Sequence, residues 1–175
     1  MAQILTLDDA KRSLAGHLAD RGAAIHAKYG PRVGWAELQR ILQDKECCRY
    51  PVEIVFSEEG MEDGEFAHPF AKSDDPNEGY VMRIHPFFAT EPAVVPALVL
   101  YQLVLVNYGD FASPEDAETF GAAVLGLDRE AYYDQLCELA DMVSTGIATM
   151  EPAAAGHDHD HGGGCGGGGC GCSGH

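Results

Sequence analysis

Positive charge is scarce in this chain: 11 Lys and Arg stand against 28 Asp and Glu, for a formal net charge of -17 with His neutral. Nucleic-acid binding needs clustered cations to displace counterions, and an anionic membrane surface needs the same, so neither is expected as a partner. Long apolar runs are also missing. The most apolar stretch, 93–106, is broken by Pro96 and Gln102 and is too short to span a bilayer. The first residues, MAQILTLDDAKRS, carry no basic segment followed by an apolar core, so no signal peptide is expected and the reading is a cytoplasmic protein. In that compartment its six cysteines are reduced. No internal repeat occurs. Glycine is dense only after residue 156, where no strand precedes it and no helix follows, so a phosphate cradle is unsupported. No acid/base pair or activated nucleophile stands out, and the chain is read as non-enzymatic.

The last nineteen residues, HDHDHGGGCGGGGCGCSGH, have a different character. They hold four His, three Cys and two Asp among glycines and offer no apolar surface. Such a segment cannot offset the entropy of ordering itself and is expected to be disordered unless it folds around something. Its donor set points to a transition metal ion, Ni or Zn first. His157, His159 and His161 alternate with Asp158 and Asp160, so an extended chain turns three imidazoles the same way. Cys165, Cys170 and Cys172 supply thiolates, His175 a further imidazole, and the glycines supply turns. A tetrahedral site needs four donors and seven are present, which favours a labile chelator over one rigid site.

The preceding residues predict one domain, 1–150, joined by a Pro/Ala/Gly linker, 151–156, to the metal-binding tail, 157–175. Thr6-Leu-Asp-Asp9 reads as a capping box for a helix over 7–29 with Leu7, Ala10, Leu14, Leu18 and Ile25 on one face; Gly22, on that face, marks close packing. A second helix is expected over 34–44 and strands over 52–56 and 80–85, with an edge strand at 66–70 because Pro69 cannot sit centrally. Residues 91–108, apolar nearly all round, predict the central core helix. Ser113-Pro114 opens a helix ended by Gly126, and Asp128 opens the last one. The expected class is α+β, a small antiparallel sheet packed with about five helices.

Two resemblances follow from these residues. The tail, mixing glycine with His-Asp-His and Gly-Cys-Gly-Cys, resembles the His/Cys/Gly-rich tails of bacterial nickel metallochaperones, nearest that of an FKBP-type prolyl isomerase of hydrogenase maturation. It covers 157–175 alone, so it implies metal delivery and a client protein but no isomerase activity. The element order resembles that of minimal zincin metallopeptidases. Tyr101-Gln-Leu-Val-Leu105 stands where their His-Glu-x-x-His belongs, and Glu118 where a third ligand belongs, so the resemblance implies a relative without catalysis.

Elsewhere, His17 and His26 lie on opposite faces of the first helix and cannot share an ion. His68 and His85 precede prolines and are read as surface or capping groups, and Cys47, Cys48 and Cys137 as buried apolar thiols. The leading function is a metal-binding chaperone, buffer or store. The alternatives are a non-catalytic interaction module on a zincin-like scaffold, and a folded leader whose tail Cys and Ser are substrates for azole-forming enzymes.

Overall fold

A computed structural model describes residues 6–150, apart from the side chains of Asp8 and of 147–150. The linker 151–156 and the tail 157–175 lie outside the described residues. Among the described residues the class is α+β, with five α-helices and a three-stranded sheet.

Helix α1 spans Leu7–Tyr29 and opens on the expected box: the Asp9 amide donates to Thr6 Oγ1 at 3.2 Å, and the Thr6 amide donates back to Asp9 at 3.1 Å. Helix α2, Trp35–Gln43, buries Leu38, Ile41 and Leu42 on one stripe. Strands β1 (Val52–Phe56), β2 (Ala67–Ala71) and β3 (Tyr80–Ile84) follow, then α3 (Val95–Tyr108), α4 (Pro114–Leu125) and α5 (Arg129–Met150). No helix among the described residues is long and apolar enough to cross a membrane.

The sheet corrects one expectation. Its order is β1-β3-β2, with β2 antiparallel and β1 parallel to β3, so it is mixed and not purely antiparallel. The reason is which strand can take the centre. A central strand must hydrogen-bond on both sides, and Pro69 leaves β2 without one donor. β3 has no proline and sits between the other two, while β2 takes an edge as its proline requires. β2 and β3 are joined by a turn and run opposite ways. β1 pairs with the far side of β3 in register Val52↔Tyr80 to Phe56↔Ile84, a strand having intervened in the chain.

Helix α3 forms the centre. Val95 to Leu100, Leu103, Val104 and Val106 are all buried, each Val or Leu contributing about 1.5–3 kcal/mol relative to exposure. It starts at Val95 and not at Glu91, and Pro96 falls in the first turn, where its missing N–H has no helical partner to lose. Its polar residues tie neighbours to it. Gln102 Nε2 donates to the Ala67 carbonyl of β2 at 2.8 Å. Asn107 Nδ2 donates to the Cys47 carbonyl at 3.0 Å, and its Oδ1 accepts from the Arg49 amide at 2.8 Å. The fully buried Tyr132 of α5 donates its hydroxyl to the Ala97 carbonyl at 2.6 Å.

Helix α1 packs along α4, whose Ser113–Asp116 capping box and left-handed Gly126 cap match the sequence signals. At Gly22 the two helices leave no room for a side chain. A Cβ there would lie 2.5 Å from Ala123 Cβ and 2.9 Å from the Phe120 carbonyl oxygen. Gly16, two turns earlier, has open space at the same position. Gly22→Ala is therefore expected to destabilise by about 1–3 kcal/mol through overpacking. Gly16→Ala is expected to stabilise by up to about 1 kcal/mol through helix propensity. Urea unfolding of the two variants checks both signs, and equal signs would contradict the packing argument.

Candidate functional site

All seven donors read from the sequence, His157, His159, His161, Cys165, Cys170, Cys172 and His175, fall outside the described residues. Among the described residues, no group of three or more His, Cys, Asp or Glu is placed to hold a metal ion. What the structure does establish is how the body employs its own imidazoles and thiols.

Each body histidine has a local task. His17 Nε2 hydrogen-bonds the Tyr108 hydroxyl at the end of α3 at 3.0 Å. His26, on the same helix, reaches the Val124 carbonyl of α4 at 3.0 Å; a carbonyl only accepts, so this Nδ1 carries the proton. Two histidines of one helix thus serve different neighbours. His68 pairs with Glu65 at 3.3 Å and faces Arg83 across the β2–β3 ladder. His85 caps the short turn Pro86–Thr90, its Nδ1 accepting from the Phe87 amide at 3.2 Å, while its Nε2 lies 3.4 Å from Glu58. The surface and capping roles expected of His68 and His85 are the ones they occupy.

The thiols are equally committed. Cys47 is buried and donates to Asp44 Oδ2 at 3.3 Å. Burial first, and the neighbouring carboxylate second, push its pKa up to about 12. Cys48 donates to the Tyr50 carbonyl at 3.0 Å, and burial pushes it up to about 11. Both are held as neutral thiols, the protonation state least suited to metal ligation or nucleophilic attack. Cys137 of α5 is half-buried.

Sequence reading passed over Asp44, which organises this corner. Its carboxylate accepts from Lys28 Nζ at 2.7 Å, the Tyr29 hydroxyl at 2.8 Å, the Glu46 amide at 3.0 Å and the Cys47 thiol. The Lys28 bond, then those from Tyr29 and Glu46, hold the carboxyl well below the usual range. The same contact raises Tyr29. Its partners come from α1 and from the turn that follows α2, so only the fold brings them together.

Of the run Tyr101–Leu105, Leu103 and Val104 are buried in the core, while Tyr101, Gln102 and Leu105 are partly buried and border a cavity of about 160 Å³ lined also by Ala112 and Ser113. The Tyr101 ring meets Phe66 edge-on, centroids 6.0 Å apart. Burial and the charges of Glu118 and Glu115 raise its pKa. Glu118 lies 3.7 Å from Arg129. Gln102 is spent on β2, and the Ser113 hydroxyl on its capping box. These groups bind and pack; none of them forms a base–nucleophile pair. Comparison with protein-family models, with curated proteins and with solved structures finds no match.

Two outcomes follow. A disulfide reagent at about pH 8 is expected to titrate Cys137 promptly in native protein ending at residue 156, with Cys47 and Cys48 reacting only on unfolding. Prompt reaction of all three would contradict the buried-thiol geometry. For Asp44 the folded pKa is depressed, so its contribution is fully present above the ordinary Asp value of about 3.9 and is lost as pH falls below it. Asp44→Asn should cost about 1–2 kcal/mol at neutral pH. In acid titrations followed by unfolding free energy, that difference should shrink between about pH 5 and pH 2. A difference independent of pH would remove Asp44 from the acid limb.

Proposed function

We propose that this protein is a metal-handling accessory protein, in which a chelating set of His157, His159, His161, Cys165, Cys170, Cys172 and His175 takes up Ni, Zn or a similar transition ion. The observation that carries the reading is a division of labour. Seven imidazole and thiol donors crowd nineteen residues at one end of the chain. The described body keeps its buried thiols neutral, engages His17, His26 and His85 in hydrogen bonds, and sets His68 against Glu65.

Mixed nitrogen and sulfur donors suit borderline ions of the Ni and Zn type. More donors than one tetrahedral site needs allow several arrangements of similar energy, the property of a carrier that must also release its ion. On this reading the body is the unit that docks a client protein, and the setting is the cytoplasm, where the tail thiols stay reduced. The resemblance to nickel metallochaperone tails supports the same assignment.

Metal analysis of protein purified without added metal, full-length against a chain ending at residue 156, tests it. The full-length chain should bind Ni or Zn stoichiometrically and the shortened one should not. Bound metal should leave as pH falls through about 6.5, where imidazoles protonate. Equal metal in the two proteins would overturn the proposal.

A further inference from the structure

One cleft of the body gathers positive charge against the composition of the whole chain. It lies between α1, the turn following α2, the last turn of α3 and α4, and encloses about 310 Å³. Arg21, Lys45 and Arg49 line it, together with His17, Asn107 and Tyr108. Of the chain's 11 Lys and Arg, Arg12, Lys28, Arg40, Lys72, Arg83 and Arg129 each face a carboxylate. Of the five without an ion-pair partner among the described residues, Arg21, Lys45 and Arg49 line the cleft, and Lys11 and Arg32 lie outside it. In a protein with 28 acidic residues, three unneutralised cations around one cavity need a reason.

The two acids of this corner, Asp44 and Glu46, both contact Lys28. Asp44 takes Lys28, Tyr29 and Cys47, and Glu46, the one acid on the wall, lies 3.4 Å from Lys28 Nζ. The walls are also fixed in place. The Arg49 amide is held by Asn107 Oδ1 at 2.8 Å, which anchors the backbone of this residue to α3. Asn107 binds the Cys47 carbonyl at 3.0 Å, and His17 binds the Tyr108 hydroxyl at 3.0 Å. Arg21 follows His17 by four residues on α1 and so shares its face.

Three like charges lining one cleft repel one another, and a bound anion relieves that repulsion. Guanidinium groups present forked donors that match carboxylate or phosphate oxygens two at a time. The rest of the surface is strongly acidic, so a polyanionic chain leaving the cleft would meet repulsion. The volume stands at the low end of small-ligand sites, roughly 300–1,000 Å³. We propose that this cleft binds a small polyanion bearing carboxylate or phosphate groups, with Arg21, Lys45 and Arg49 as its cationic contacts and His17 and Tyr108 as polar ones. The site is independent of the metal chemistry assigned to the tail.

Calorimetric titration of the full chain, stripped of metal on a chelating resin, with citrate and separately with pyrophosphate tests the proposal. Saturable binding of at least one probe is expected, and the tighter of the two identifies the carboxylate or the phosphate class. Arg21→Gln/Arg49→Gln should weaken it by about tenfold or more. The charge-matched control Lys11→Gln/Arg12→Gln, in the first turns of α1, should change it by no more than about twofold. The bound probe should raise the melting temperature of the native chain and the control but not of the cleft variant, whose cooperative unfolding shows that it is folded. Absence of saturable binding by both probes at millimolar concentration, unaltered affinity in the cleft variant, or equal loss in both double variants would overturn the assignment.

Discussion

Helix α3 has no face that belongs in water, and the rest of the architecture answers that constraint. Nine of its fourteen residues are buried, so neighbours must cover it on every side. β2 and β3 lie against one side, α4 and α2 against others, and α5 closes the remainder with the buried Tyr132. A helix so uniformly apolar carries little information about which neighbour goes where. Its few polar groups supply that information. Gln102 accepts only a position beside the β2 backbone, Asn107 only one beside the turn at Cys47–Arg49, and the Ala97 carbonyl receives the Tyr132 hydroxyl. Leaving any of these unpaired in the interior costs more than the bond returns, so they select one arrangement among many with similar apolar burial.

The α1–α4 contact obeys a second constraint, that of distance. Gly22 allows the backbones to approach, and His26 then reaches the Val124 carbonyl. Gly121 of α4 does the same for the Tyr132 ring, which leaves no room for a Cβ. Once α1 and α4 are this close, the end of α1 is brought over the turn that follows α2. Lys28 and Tyr29 then converge on Asp44. The corner that neutralises Asp44 also leaves Arg21, Lys45 and Arg49 without carboxylates, so helix packing and the charge pattern of the cleft share one origin.

Local signals were read where local physics decides. The Thr6–Asp9 and Ser113–Asp116 boxes, the edge position of Pro69 and the Gly126 cap depend on neighbours a few residues away, and the structure places them as expected. The parallel pairing of β1 with β3 was not legible, because pairing direction depends on which strand reaches the centre of the sheet. Asp44 and Asn107 were missed for a related reason. Apart from the Glu46 amide and the Cys47 thiol beside Asp44, their partners lie between 15 and 60 residues away in the chain. No periodicity or motif marks such a meeting.

The tail and the cleft divide along the same line. A chelating segment declares itself in its own composition, since imidazole, thiol and glycine act on an ion without help from a fold. The sequence alone therefore determined the candidate donors from His157 to His175, the helix caps and the apolar identity of α3. Only the tertiary structure decided that Cys47 and Cys48 are sealed as neutral thiols, that the sheet is mixed, and that Arg21, Lys45 and Arg49 share one cavity. Burial, strand order and the clustering of distant charges are properties of chain segments brought together, and no segment carries them by itself.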